Sequence, residues 1–361
     1  MRKRNLLILL ASLFTLMLLT GCFQGEQSLP DMDPPPNAEA VDGQENQATD
    51  NEAGNQEETE EADQSEEATQ TVMRQLFLLD SNGLVAPQNV ELPVPDSKEV
   101  ASQVLEYLVQ DGPVTSLLPN GFQAVLPAGT EVLGLSIEEG TATVDLSEEF
   151  NEYAAKDEKR ILEAMTFTLT QFDTIDRVKL RVGGKDLSSM PVDGTPISNG
   201  YTRANGINIV QTDTVDLINS KAVTMYFPTE HDDNQYFVPV TQYLEVKDGD
   251  VHQAIVDALI EGPAYDTNLM HVFNDQTMLL NNPKLNSGVL ELEFNQDILK
   301  DMENGVIADE VMETLVRTLT EQESIEAVNI KVENVEQIAN ESGEVYSEPV
   351  TRDSLTPSEK L

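Results

Sequence analysis

Val104-Leu105-Glu106-Tyr107-Leu108-Val109-Gln110-Asp111-Gly112-Pro113 returns 150 residues later as Ala254-Ile255-Val256-Asp257-Ala258-Leu259-Ile260-Glu261-Gly262-Pro263. Each decapeptide spaces its apolar side chains for a helix and closes on a Gly-Pro pair that stops one. The correspondence continues downstream. Leu169-Thr170 recurs as Leu319-Thr320, Ile175 as Ile325, and Val178-Lys179-Leu180-Arg181-Val182 as Val328-Asn329-Ile330-Lys331-Val332. A period this long belongs to tandem domains, because solenoid units run to about 20–50 residues.

Around that helix each copy switches between periods of two and 3.6. Arg74 to Leu79 and Ala222 to Phe227 predict opening strands, and Leu84 to Leu92 and Tyr236 to Val246 predict second strands. The helix that follows starts after Asp96-Ser97 and runs to Gly112-Pro113, with Val100, Val104, Tyr107 and Leu108 on one face. Val251, Ile255, Ala258 and Leu259 repeat that face before Gly262-Pro263. In both Gly-Pro pairs the glycine is expected in the left-handed cap, with proline blocking continuation. A hairpin turns at Glu139-Gly140 and points Ala142, Val144 and Leu146 inward; Leu290, Leu292 and Phe294 do the same after Ser287-Gly288. Ile161, Met165, Leu169 and Phe172 mark a second helix, matched by Val311, Leu315 and Leu319, and a last strand ends each unit. The order β-β-α-β-β-α-β predicts the α+β class: two tandem small α/β sandwiches with helices on a largely antiparallel sheet. The expected divisions are a first copy over 72–185, a connector over 186–220, a second copy over 221–350 and a polar tail over 351–361. Ile207, Ile209, Val215, Leu217 and Ile218 make the connector more than a floppy linker.

The chain has 361 residues, with 21 Lys and Arg against 65 Asp and Glu, a net charge of −44. Such a chain repels phosphate backbones, which excludes nucleic acid as a partner. One cysteine excludes an intramolecular disulfide and a Cys-rich zinc site. That cysteine has a telling place. Arg2, Lys3 and Arg4 precede an apolar run from Leu6 to Leu19, of signal-peptide length, which ends in Leu19-Thr20-Gly21-Cys22. The tetrapeptide resembles a bacterial lipobox, so 1–21 is expected to be a lipoprotein signal peptide and Cys22 the diacylated residue that anchors the chain at the outer face of the membrane. From Phe23 to Thr71 there are fifteen acids and no Lys or Arg, so 22–71 is expected to be a disordered tether. Its reach as a flexible chain is roughly 40 Å; an acidic interaction tail is the rival reading.

Residues that carry chemistry are sparse. No G-x-S-x-G, H-E-x-x-H, Walker A, G-x-G-x-x-G or EF-hand pattern occurs. His231, His252 and His271 all fall in the second copy and would need to converge to hold zinc, but they read as unrelated surface histidines. A Ser-His-Asp triad has no nucleophile motif behind it. Paired carboxylates at glycosidase spacing carry no weight among 65 acids. Gly183-Gly184-Lys185 is half a phosphate loop and reads as a tight turn, while Asp248-Gly249-Asp250 reads as a turn with an N-cap rather than a Ca²⁺ loop. No catalytic residue, metal ligand or cofactor is assigned, and Cys22 stands as the one modification site.

The lipobox, the acidic tether and two units carrying helix-Gly-Pro, Val144-Asp145-Leu146-Ser147 and Leu169-Thr170-Gln171-Phe172 resemble the GerMN-domain family, sporulation and spore-germination lipoproteins of endospore-forming Firmicutes. The first copy matches best, through Asp111-Gly112-Pro113, Gly129-Thr130 and Val182-Gly183-Gly184-Lys185. The second departs, with Val332-Glu333-Asn334-Val335 where Gly-Lys is expected. The resemblance implies a fold related to the ring-building motifs of sporulation and secretion assemblies, self-assembly into rings included. It also implies a place on the mother-cell membrane facing the forespore, with protein partners in the channel complex that links the two cells, and a scaffold rather than an enzyme. Two other classes compete: a peptidoglycan- or cortex-binding module, marked by a concave aromatic groove, and a wall-processing hydrolase, marked by a buried carboxyl pair.

Overall fold

Thr71–Leu79 (β1) folds back on Val85–Pro93 (β2) in antiparallel register, with Leu79 opposite Val85 and Thr71 opposite Pro93. Asp80 makes the turn: its Oδ1 accepts from the N–H groups of Asn82 and Leu84 at 2.9 and 2.8 Å. The computed structural model describes residues 71–95, 100–210, 220–232, 234–246, 250–264 and 267–355. The signal segment, Cys22, the tether up to residue 70, the helix start at Asp96-Ser97, and Val215, Leu217 and Ile218 of the connector lie outside the described residues.

The first helix, Val100–Glu106 (α1), is shorter than its periodicity predicts. Beyond it Val109 bridges to Leu126, and the Gln110 N–H donates to the Leu126 carbonyl at 2.9 Å. This bridge competes with further helical bonds and ends the helix early. The expected left-handed glycine is therefore not at 112. Asp111 takes that conformation with φ 56°, and Gly112 sits at φ −86°. A Cβ at Gly112 would lie 2.9 Å from the Val109 carbonyl, which explains the glycine by close approach instead. Gly262 of the second copy has a positive φ of 88° but ψ −176°, an extended backbone that favours glycine and is not the expected left-handed helical cap.

Val132–Glu138 (β3), Thr141–Leu146 (β4), Glu158–Leu169 (α2), Arg177–Val182 (β5) and Lys185–Asp186 (β6) complete the first unit, in sheet order β3-β4-β5-β6. Strands β4 and β5 are parallel, with Ala142 opposite Val178 and Val144 opposite Leu180. They have to be, since α2 carries the chain back to the end where β4 began. The other pairs are antiparallel. Helix α2 has ten of its twelve residues buried, so it is a central element packed against β1 as well as β5 rather than a one-faced surface helix. The rings of Phe77 and Phe167 meet 5.4 Å apart where β1 lies on α2.

The second copy repeats the order: Ser220–His231 (β7), Asn234–Glu245 (β8), Val251–Glu261 (α3), Lys284–Asn286 (β9), Val289–Phe294 (β10), then Asp309–Leu319 (α4) and Ala327–Val332 (β13). A small hairpin, Leu299–Asp301 (β11) with Val306–Ile307 (β12), is inserted before α4. Its sheet runs β13-β10-β9, again with a parallel central pair.

The repeat does not stop at the fifth strand. Val178 and Tyr201 exchange two backbone hydrogen bonds of 2.8 Å, and Val328 and Val350 do the same at 2.9 and 2.8 Å. Thr202 and Asn205 form a capping box around Arg203; Thr351 and Ser354 form one around Arg352. The segments 186–205 and 335–354 are thus equivalent closing straps, one per copy, although the first falls in the expected connector and the second runs into the expected tail. Ile207 is buried, and the segment after it docks on β8 through Thr241. One hydrophobic cluster spans both copies, from Phe77 and Phe167 through Tyr236 to Phe294.

Candidate functional site

The two copies meet through the same element of each, β2 against β8. Asn208, held at φ 46°, stitches them together. Its Nδ2 donates to the carbonyls of Val85 and Pro239 at 2.7 and 2.8 Å, and its Oδ1 accepts from the Val85 N–H at 2.8 Å. The side-chain amide thereby supplies the bonds that a strand between the two ribbons would make. At one end of this seam the Tyr236 hydroxyl donates to Asp80 Oδ2 at 2.9 Å, and Phe122 packs edge-on to the Tyr236 ring at 4.8 Å. Burial and the Asp80 charge push the Tyr236 phenol well above its ordinary range.

A clasp also ties the two copies. Arg203 Nη1 reaches Glu321 Oε1 at 2.7 Å, and Arg352 Nη2 reaches Glu321 Oε2 at 3.0 Å. The Tyr226 hydroxyl donates to Oε2 at 3.1 Å, and the guanidinium groups stack on the rings of Phe167 and Tyr226. Two arginines, one from each closing strap, therefore share one carboxylate. Burial opposes the charge on Glu321, but Arg203 and Arg352 hold its carboxyl below the usual range. In the first copy the equivalent position is Gln171, whose Nε2 instead donates to the Gln75 carbonyl at 2.7 Å.

Ser81 of the first copy contacts His231 of the second, Oγ to Nδ1, at 3.2 Å. Asp232 stands 3.6 Å from Nε2, beyond a good hydrogen bond. In a catalytic triad the serine would face Nε2 and the carboxylate would bind the Nδ1 proton, so this order is inverted. His271 Nε2 lies 2.8 Å from the Ile260 carbonyl beside Gly262, and His252 occupies the first turn of α3. Among the described residues no three His, Cys, Asp or Glu side chains come together in a way that would hold a metal ion. Gly183 and Gly184, at φ 55° and 77°, turn β5 into β6, with the Gly184 N–H donating to Asp145. Asp250 caps α3 by accepting from the Gln253 N–H at 3.0 Å; Asp248 and Gly249 lie outside the described residues.

The buried acids are occupied by the fold. Glu158 accepts from the N–H groups of Val192, Asp193 and Thr195 at 2.7–3.2 Å and from the Tyr153 hydroxyl at 2.8 Å. Burial raises its carboxyl, but these donors prevail and hold it down to about 2. Two of the open grooves carry acids on their rims. One, of about 410 Å³, includes Asp80, Gln110, Tyr153 and Arg160; the other, of about 310 Å³, lies under the second strap and is rimmed by Asp309, Glu313, Glu344 and Glu348. The clasp and the Asn208 stitch escaped sequence reasoning, though the recurrence of Thr202-Arg203 as Thr351-Arg352 was a signal for both straps.

Two equivalent α/β units, each closed by a strap and joined like to like, define a tandem GerMN-type protein. Residues 75–188 and 224–338 each match the Germane family, described as sporulation and spore germination, and the chain belongs to that family. It is 40% identical over 344 residues to the spore germination protein GerM of Bacillus subtilis (strain 168), covering 94% of this chain and 93% of that one. Among solved structures, the tandem GerMN domains of the sporulation protein GerM from Bacillus subtilis superpose with a TM-score of 0.73 at 43% identity, over 81% of this chain and 99% of that one.

Proposed function

We propose that the chain is a non-enzymatic, lipid-anchored assembly module that acts in sporulation and spore germination, on the mother-cell membrane facing the forespore, within the channel complex joining the two cells. The observation that carries this reading is the clasp, in which one carboxylate, Glu321, binds a closing arginine from each copy. It fixes two equivalent units in one orientation, which suits a part that sets the geometry of a larger assembly. The relatives named for sporulation and germination support the process. The net charge of −44 suits a partner with a basic face and makes that attachment salt-sensitive.

Removing either copy, 72–207 or 220–355, is expected to abolish recruitment of the partner complex in sporulating cells without changing wall chemistry. Purified protein that digests peptidoglycan, with activity lost on changing one carboxylate, overturns the reading in favour of a hydrolase. Saturable binding to glycan with no protein partner favours the wall-binding module. The anchor has its own test: Cys22→Ser is expected to lose fatty-acid label and membrane attachment, and equal labelling of the wild type and the variant counts against lipidation.

A further inference from the structure

Strand β3 is the outer edge of the first sheet, and none of its seven residues is buried. Leu133 is 54% exposed and Ile137 is 43% exposed. Among the described residues, Leu133–Ile137 make no hydrogen bonds outside the pairing with β4. Proteins guard such edges with lysine, proline or very short strands. The second copy does all three: β9 has three residues, begins at Lys284 and follows Pro283. Lys284 lies opposite Glu291, between the inward-facing Leu290 and Leu292; Ser136 holds the same place opposite Thr143, between Ala142 and Val144. The same fold thus carries a short edge guarded by Lys and Pro in one copy and, beyond the bulge at Val132/Gly134, a longer edge with neither residue in the other.

Gly134 marks where the regular part of this edge begins. Each of the other glycines among the described residues has a positive φ or leaves no room for a Cβ, but Gly134 has neither constraint and open space around it. It sits where the β3–β4 register shifts between Val132 and Gly134, and a bulge there accounts for a strand glycine.

Resting on the assembly reading, we propose that β3 accepts a β-strand from a partner protein, an extended segment with apolar residues at alternate positions and Lys or Arg at its ends. Glu131, Glu138 and Glu139 bracket the edge and set that charge preference. A second copy fits poorly. Antiparallel self-pairing brings Glu131 of one copy beside Glu138 and Glu139 of the other at both ends of the edge, and the like charges repel. The chain's own tether is equally mismatched, with no Lys or Arg between Phe23 and Thr71.

Hydrogen exchange on the full chain tests this, with a synthetic peptide of valine alternating with threonine and two lysines at each end. The expected result is exchange slowed about tenfold or more across 134–138, with no such effect from the same peptide carrying glutamates. Ser136→Lys, which copies Lys284, is expected to remove the protection and leave the melting curve unchanged. No protection at millimolar peptide, or equal protection by the acidic peptide, overturns the proposal. So do edge amides already slow in a free chain that sediments as a dimer, which makes a second copy the occupant. If the peptide fails while removal of the first copy still abolishes recruitment, the edge falls and the assembly reading stands. If the peptide docks while recruitment survives that removal, the edge stands and the assembly reading falls.

Discussion

Glu163 projects from α2 into the junction, 5% exposed, and accepts the Asn208 N–H at 3.3 Å. Burial pushes its carboxyl up to about 7, against the Asn208 bond and the charges of Lys159 and Arg160. Between about 4.5 and 7 the native state therefore keeps a proton that the unfolded chain has released, so stability falls as pH rises through that window. Glu163→Gln keeps an acceptor for Asn208 without the charge. Unfolding free energies from urea melts of this variant are expected to stay flat across the window and to exceed wild type by roughly 2–3 kcal/mol at a pH of about 8. A wild-type midpoint that does not drop over the same range refutes the assignment. Glu158 acts in the opposite sense: its carboxyl is lowered to about 2, so its contribution is present above about 4.5 and is lost as pH falls toward 2. Neither behaviour was legible in the sequence, where both residues belong to a charged helix start and 65 acids look alike.

At the scale of elements, each opening ribbon leaves a strand N–H facing its central helix. The Phe77 N–H donates to Thr168 Oγ1 and the Tyr226 N–H to Thr318 Oγ1, both at 2.9 Å. A buried N–H without a partner costs about 1–3 kcal/mol. Thr168→Val and Thr318→Val, which keep the side-chain shape, are each expected to lower the unfolding free energy from urea melts by that much, through a lower midpoint with the slope unchanged. An unchanged midpoint in both excludes the hydroxyl as the acceptor that matters. Strand and helix order was readable because Ala142, Val144 and Leu146 alternate locally, as do Leu290, Leu292 and Phe294. The buried polar side of α2 was not, because a threonine facing a strand and one facing water look the same in a periodic pattern.

For the whole molecule, the copies are held together by three polar ties, Asp80 to Tyr236, Arg203 to Glu321 and Asn208 to both ribbons. Glu321→Gln keeps the shape of the clasp but leaves two arginines without their charge partner. The expected cost is roughly 2–4 kcal/mol, moderated because both guanidinium groups retain contact with water. Calorimetry is expected to split one unfolding transition into two as the copies uncouple; a single unshifted transition gives the junction to its apolar contacts instead. By itself the sequence determined the tandem repeat, the β-β-α-β-β-α-β order in each copy, the acidic character and the absence of a recognisable catalytic motif. These follow from composition and from periods that repeat within a few residues. Only the tertiary structure decided that Arg203 and Arg352 converge on Glu321, that Asp80 holds Tyr236 across 156 residues, and that β3 forms a longer edge than β9. Those outcomes depend on how two nearly equal units dock and which strand is left at an edge, and no local spacing encodes either.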